Sequence, residues 1–183
     1  MNLQFDGEDL SLADWLTPGG SDTMPSVYQS LLFLHILGVF LIVGGAAIAT
    51  ALGIKASKSV HTRTIAAFSG LSIIAERYVI TPGAILALVA GSFLVHQVGY
   101  SFGQAWIVAS YVLWVTAMSV GWGVLGRHSV RLNTHAKRLV AEGVETSDEL
   151  GREAAAPVGM IFGAVQNVIL IAFIYLMVVR PGV

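Results

Sequence analysis

The stretch VYQSLLFLHILGVFLIVGGAAIATALGI, residues 27–54, decides the fold of this chain. It contains no acidic or basic side chain, and its single histidine is His35. A helix crosses the hydrocarbon core of a bilayer with about 20 apolar residues, each adding about 1.5 Å. The stretch is therefore predicted to be a transmembrane helix against which the rest of the chain packs.

Composition predicts the same class of protein for the whole chain. Hydrophobic residues make up 55% of the 183 residues and charged residues only 11%, whereas about a quarter of the residues of a soluble domain are charged. We therefore expect an integral membrane protein whose main partner is the lipid bilayer, and no nucleic acid partner. The absence of cysteine excludes disulfides, thiolate metal sites and thiol catalysis.

Further charge-free stretches complete the transmembrane domain, which we assign to residues 27–183. The four predicted spans are residues 27–54, 81–98, 105–126 and 155–179, and together they predict an all-α four-helix bundle. Residues 64–75 are also apolar but come before Pro82, which suits the first turn of a helix and not its interior. They either lie along the membrane surface or continue the second span.

The polar segments are distributed unevenly between the two ends of this bundle. Residues 127–152, between spans 3 and 4, predict a helical hairpin extension, in which Gly143 ends one helix and Thr146 and Glu149 form the capping box of the next. Residues 1–26 form an acidic extension with no Lys or Arg, in which Ser11 and Pro18 delimit a predicted short interfacial helix.

The Lys and Arg residues predict the orientation of the chain. They concentrate in the loop after span 1 and in the hairpin: Lys55, Lys58, Arg63, Arg127, Arg131, Lys137, Arg138 and Arg152. Loops rich in Lys and Arg stay in the cytoplasm. We therefore expect a protein of the bacterial cytoplasmic membrane with a cytoplasmic hairpin and both termini outside.

Small residues recur every four positions in three of the spans. They are Gly45, Ala49 and Gly53 in span 1, Gly83, Ala87 and Gly91 in span 2, and Ala155, Gly159 and Gly163 in span 4. Small residues at this spacing let helix backbones approach closely in lipid. The pattern therefore predicts the contact faces between helices.

Two histidines are the candidate ligands for a cofactor. His35 and His96 both fall in the outer half of the predicted bilayer, and facing helices of a bundle can bind haem b or a copper ion through such side chains. Alternatively, His35 is a neutral histidine hydrogen-bonded to a neighbouring helix, and His96 lies at the membrane interface. The residues expected at a similar depth, which would line an outer pocket, are Ser92, Ser110, Tyr111 and Tyr175.

Other polar residues in or near the spans have simpler interpretations. Gln166 and Asn167 fall near the middle of span 4, where a hydrogen bond to another helix would satisfy them. Glu76 and Arg77 precede span 2 and form either an interfacial ion pair or a gate for a proton or ligand.

Several short motifs match those of a known family. They are LH at residues 34–35, GG at 44–45, Glu76 followed by TPG at 81–83, and YLMVVRP at 175–181. With these motifs the chain resembles a bacterial family of predicted integral membrane proteins, family 2269 of the domain-of-unknown-function series. The resemblance implies four helices and no established activity.

More distantly, the first span is similar to those of the copper-resistance D membrane proteins and of the four-helix protoporphyrinogen oxidase. These proteins are associated with copper and haem, and the likeness bears on His35.

Two functions follow as hypotheses. The first is a non-enzymatic accessory or scaffolding subunit of a larger membrane complex, in contact with other subunits or with a second copy of the chain. The second is a haem b or copper protein that transfers electrons or handles the cofactor through His35 and His96. No catalytic signature is present, so enzymatic activity is not expected.

Overall fold

The computed structural model describes residues 26–181, which are almost entirely helical and contain no β-strand. The α-helices are α1 (Val27–Ser57), α2 (Thr62–Ala75), α3 (Thr81–Val98), α4 (Ala105–Val120), α5 (Arg127–Ala141), α6 (Asp148–Ala154) and α7 (Pro157–Val179). Two π-helical turns interrupt the series, the first π-turn (Glu76–Ile80) and the second π-turn (Gly121–Gly126). The acidic extension, with its predicted interfacial helix, lies outside the described residues.

Four helical stretches are long and apolar enough to cross a membrane: Val27–Ser57, Thr62–Val98, Ala105–Ala141 and Asp148–Val179. The prediction of an all-helical chain with four helices able to span a membrane is therefore confirmed. Because consecutive spans run in opposite directions, the loops after α1 and after α5 share one end of the bundle, called the basic end below. The loop between α3 and α4 and residues 26 and 181 share the other, the terminal end.

Residues 64–75 join the second span through the first π-turn without a break in the helix. This segment therefore extends the span and does not form a separate surface helix. The irregularity in this helix lies in the first π-turn, where the N–H of Thr81 donates to the carbonyl of Glu76. Pro82 follows directly. Proline has no N–H and clashes with the carbonyl four residues earlier, and the widened turn relieves that clash.

The helices α1 and α3 cross at very short range. A methyl group at Gly38 would lie 2.6 Å from the backbone nitrogen of Ala87, and one at Gly83 would lie 2.9 Å from the carbonyl oxygen of Gly38. Gly45, one of the predicted contact residues, is buried against Ile80 of the first π-turn. The two backbones are therefore in direct contact, as small residues allow in lipid.

Other predicted contact residues are placed differently. Nothing lies within 4 Å of the position that a methyl group would occupy at Gly53 or Gly163, and the nearest atom at Gly159 is 3.9 Å away, on His128. Ala49 is partly buried and Ala155 is exposed. On α7, Gly159 is therefore in contact with His128 of α5, whereas Gly163 has no described atom against it.

A second well-packed region lies at the basic end, where the hairpin of α5 and α6 covers α2. Its apolar core contains Ile65, Leu132, Ala136 and Leu150. Beside it, Asn133 Nδ2 donates to the carbonyl of Ala66 at 2.7 Å and to Ser69 Oγ at 3.0 Å. The hairpin is thus held by both apolar and polar contacts.

The turns of this hairpin follow the sequence signals in part. Gly143 has a φ of +76° and follows the C-cap of α5, as predicted. The predicted capping box at Thr146 and Glu149 is wrong. The N-cap of α6 is the next residue, Ser147, whose hydroxyl accepts from the N–H of Leu150. The N–H of Ser147 in turn donates to the carbonyl of Val60 at 2.9 Å, which ties the cap to the loop after α1.

We expect Gly38→Ala to destabilise the protein, because the added methyl group would overlap the backbone of α3. Overpacking of this kind typically costs about 1–3 kcal/mol. The measurement is thermal unfolding in detergent micelles, followed by tryptophan fluorescence. Gly44→Ala is the matched control on the same helix, since nothing lies within 4 Å of its added methyl group. Equal melting temperatures for the two variants would contradict the close crossing.

Candidate functional site

His35 lies at the α1–α3 crossing, one helical turn from Gly38. Its Nδ1 is 2.8 Å from the carbonyl oxygen of Ala87. A carbonyl oxygen can only accept, so Nδ1 carries a proton, and in the neutral imidazole Nε2 then keeps a free lone pair. The hydrogen bond to a neighbouring helix, one of the two roles predicted for His35, is therefore present.

Gly91 gives the imidazole of His35 its space. A methyl group at this position would lie 2.9 Å from Nδ1 and 3.0 Å from Cε1 of the ring. The ring is thus seated against the backbone of α3, and its orientation is set by both Gly91 and Ala87.

His96 is placed on another part of α3. It is exposed, and it follows Gly91 by five residues, which is about 140° around a helix and about 7.5 Å along it. His96 therefore does not lie on the face of α3 that contacts His35. Among residues 26–181, no group of three or more His, Asp or Glu side chains is arranged to hold a metal ion.

The residues predicted to line an outer pocket are only partly brought together. Ser92 Oγ donates to the carbonyl of Leu88 at 2.8 Å and lies 2.7 Å from the hydroxyl of Tyr111, which joins α3 to α4. Ser110 is buried and donates to Trp106 in its own helix, and Tyr175 is exposed. Ser92 and Tyr111 therefore form a contact between helices that does not extend to the other two residues.

The structure has a cleft, at the level of the two π-turns, that the sequence did not predict. The two π-turns lie side by side there, and a methyl group at Gly126 would lie only 2.8 Å from Glu76 Oε1. Trp122 Nε1 donates to Thr81 Oγ1 at 3.1 Å across the two helices. The cleft has a volume of about 590 Å³, and its polar lining includes Glu76, Arg77, Thr81, Trp122, Arg127 and Arg131.

The predicted ion pair between Glu76 and Arg77 is wrong. Within residues 26–181 the carboxylate of Glu76 makes no ion pair, and the three pairs that the structure has there lie elsewhere. The reason is geometric, since consecutive residues of a helix do not face each other. Glu76 is instead a half-buried carboxylate facing an open cleft.

The nearby acid Glu153 is occupied by other partners. One of its carboxylate oxygens lies 2.7 Å from His135 Nδ1 and the other 3.5 Å from Arg131 Nε. The side chain of Arg131 is nevertheless 85% exposed, so its guanidinium keeps free donors toward the cleft. Arg77 and Arg127 make no ion pair with any described residue.

The two amides of α7 lack the hydrogen bonds predicted for them. Asn167 is exposed, and its side chain makes no hydrogen bond within the described part of the chain. Gln166 Oε1 is buried without a partner there. The prediction that they bond to a neighbouring helix of the same chain is therefore wrong.

Comparison with known proteins assigns the chain to a family. The family described as "Predicted integral membrane protein (DUF2269)" matches residues 29–181. The chain belongs to this family. The match covers all seven helices except the first two residues of α1 and confirms the resemblance seen in the sequence motifs. No curated protein and no solved structure matches the chain, so the family brings a membrane location and no assigned activity.

We expect the neutral imidazole of His35 to carry its proton on Nδ1, because that nitrogen donates to Ala87. Nitrogen chemical shifts of the ¹⁵N-labelled histidines, measured in bilayers, report this tautomer directly. Gly91→Ala should abolish the signal of the Nδ1-protonated tautomer, because the added methyl group displaces the ring. Gly53→Ala should keep this signal, because nothing lies near its methyl group. A proton on Nε2 in the wild-type protein would contradict the assignment.

Proposed function

We propose that this protein is a non-enzymatic accessory subunit of a larger membrane complex and that α7 is the helix through which it binds its neighbour. The observation that carries the proposal is the unsatisfied amide of Asn167 on an exposed face of α7. The neighbour is another membrane subunit or a second copy of the chain.

The position of Asn167 makes exposure to lipid unfavourable. It is the eleventh of the 23 residues of α7 (157 to 167), close to the middle of the span. A polar side chain at this depth is costly in hydrocarbon and normally faces protein. A neighbouring helix would supply the hydrogen-bond partner that this chain does not.

The small residues of α7 support the same contact. Gly159, Gly163 and Asn167 are spaced by four residues and so lie along one face of the helix. Only Ile169 is buried in α7, and Gly163 has open space around it. A face with small residues and one amide is typical of helix pairs in membranes, where apolar burial gives no reason to associate.

The orientation and location of the complex are part of the proposal. All Lys and Arg residues except Arg180 lie in the two segments that connect span 1 to span 2 and span 3 to span 4. The positive-inside rule then places that end in the cytoplasm of a bacterium and both termini outside. The hairpin of α5 and α6 would face cytoplasmic partners, and the acidic residues 1–26 would face outward.

The assembly can be measured on the full-length chain extracted in polymer-bounded discs of native membrane. We expect a species of fixed stoichiometry, larger than the 19.4 kDa chain, that is lost in Asn167→Val and in Gly163→Leu. The matched control is Thr116→Val in α4, because the Thr116 hydroxyl is already bonded to the carbonyl of Val112 in its own helix. A wild-type protein that is monomeric in these discs would overturn the proposal.

A second candidate function, binding of haem b or copper, is favoured by the tautomer of His35. A ligating histidine characteristically donates its other ring nitrogen to a carbonyl or carboxylate, and Nδ1 of His35 does so toward Ala87. Nε2 is thereby left as a metal donor. Because His96 is set about 140° away from Gly91, His35 would hold the haem or copper alone or together with a donor from a partner, and His96 would take part only after a rearrangement.

Absorption spectroscopy and metal analysis of the gently purified protein test this second candidate. A Soret band, or bound copper, that is lost in His35→Ala and retained in His135→Ala would support it. A colourless and metal-free protein would exclude the cofactor and leave the accessory role.

A further inference from the structure

We propose that the cleft between the two π-turns binds the phosphoethanolamine headgroup of a membrane phospholipid. In this arrangement the lipid phosphate contacts the arginines of the cleft, and the lipid ammonium contacts the carboxylate of Glu76. The proposal does not depend on the accessory role, because the cleft and the α7 face are separate surfaces.

The carboxylate of Glu76 is suited to bind a cation. It is half-buried and has no ion pair or hydrogen bond from any described side chain, and a carboxylate removed from water without a partner is strongly destabilising. Gly126 lets the α4–α5 helix approach until its Cα side touches this carboxylate. The group is thus held at the cleft wall, where a small ammonium ion can reach it.

The arginines of the same cleft are suited to bind an anion. Arg77, Arg127 and Arg131 all line it, and guanidinium groups bind phosphate through paired hydrogen bonds. Arg131 already pairs with Glu153, so the charges of the cleft without a described partner are those of Arg77, Arg127 and Glu76. Two positive charges beside one negative charge favour a ligand with both signs. A phosphate and a primary ammonium separated by two carbons match that pattern, and a purely anionic headgroup leaves Glu76 unpaired.

The depth of the cleft matches the headgroup layer. Helix α3 contains 18 residues from Thr81 to Val98, which span about 27 Å at about 1.5 Å per residue, close to the hydrocarbon thickness of about 30 Å. Tyr78 and Trp122 are both exposed at this level, as aromatic residues are at a membrane interface. The ring of Trp122, which is level with Thr81 at the hydrocarbon boundary, would contact the glycerol and upper acyl chains.

Native mass spectrometry of the delipidated full-length protein tests the proposal. The added ligands are phosphatidylethanolamine, phosphatidylglycerol and phosphatidylcholine with the same acyl chains, and free phosphoethanolamine. We expect phosphatidylethanolamine to bind about tenfold more tightly than the other two lipids, since a charged hydrogen bond of this kind is worth about that factor. Free phosphoethanolamine should bind more weakly than the lipid, because it lacks the apolar contacts.

Variants separate the two halves of the headgroup. Glu76→Gln should abolish the preference for phosphatidylethanolamine over phosphatidylglycerol, and Arg127→Gln should weaken the binding of all three lipids. Glu142→Gln and Arg138→Gln are the matched controls, because these two exposed residues pair with each other at 3.7 Å outside the cleft. They should leave binding unchanged.

Three results would overturn the proposal. Equal binding of phosphatidylethanolamine and phosphatidylglycerol to the wild-type protein would show that no ammonium is recognised, and this comparison needs no variant to fold. Equal binding of phosphatidylcholine would exclude hydrogen bonding from a primary ammonium. Tighter binding of free phosphoethanolamine than of the lipid would assign the cleft to a soluble ligand.

Discussion

The close approach of α1 and α3 is the constraint on which the terminal half of the bundle depends. At Gly38 and Gly83 the two backbones touch without intervening side chains. In lipid, association relies on such packing, because apolar surface gains nothing by leaving the hydrocarbon. The hydrogen bond from His35 to Ala87 is a consequence of this approach, since a wider crossing would leave the imidazole short of the carbonyl.

The two π-turns set the contact between the second and third spans. In the second span the widened turn accommodates Pro82, and in the third span it falls in the glycine-rich sequence GWGVLG. Because the turns lie side by side, the carboxylate of Glu76 meets the backbone at Gly126. The cleft and its charged lining therefore exist because both long helices depart from regular geometry at the same level.

Packing is uneven across the molecule, and this bears on both proposals. At the basic end the hairpin covers α2 with a buried apolar core and with hydrogen bonds from Asn133. By contrast, α7 has one buried residue and an exposed amide near its centre. The charged cleft thus lies in the half of the protein with the better packed helices, and the exposed helix carries the face suited to a neighbour.

Some of the predicted site residues could be placed from the sequence and others could not. The depth of His35 and its shared face with Gly38 follow from helical periodicity, and the structure seats its ring between α1 and α3. The partners of Glu76 and Asn167 did not follow, because ion pairs and hydrogen bonds between helices depend on rotation about each helix axis. The helices of a membrane protein are apolar on most sides, so periodicity alone does not define that rotation.

The sequence by itself determined the class of protein, the four spans, the hairpin and the family, because long charge-free stretches have one stable form in a bilayer, the helix with all backbone groups bonded internally. Only the tertiary structure decided which small residues are in contact, that the second span runs unbroken through a π-turn, and that Glu76 faces arginines of another helix across a cleft. These features depend on how helices with nearly uniform apolar surfaces rotate and shift against each other. That choice is made by backbone contacts between residues far apart in the chain.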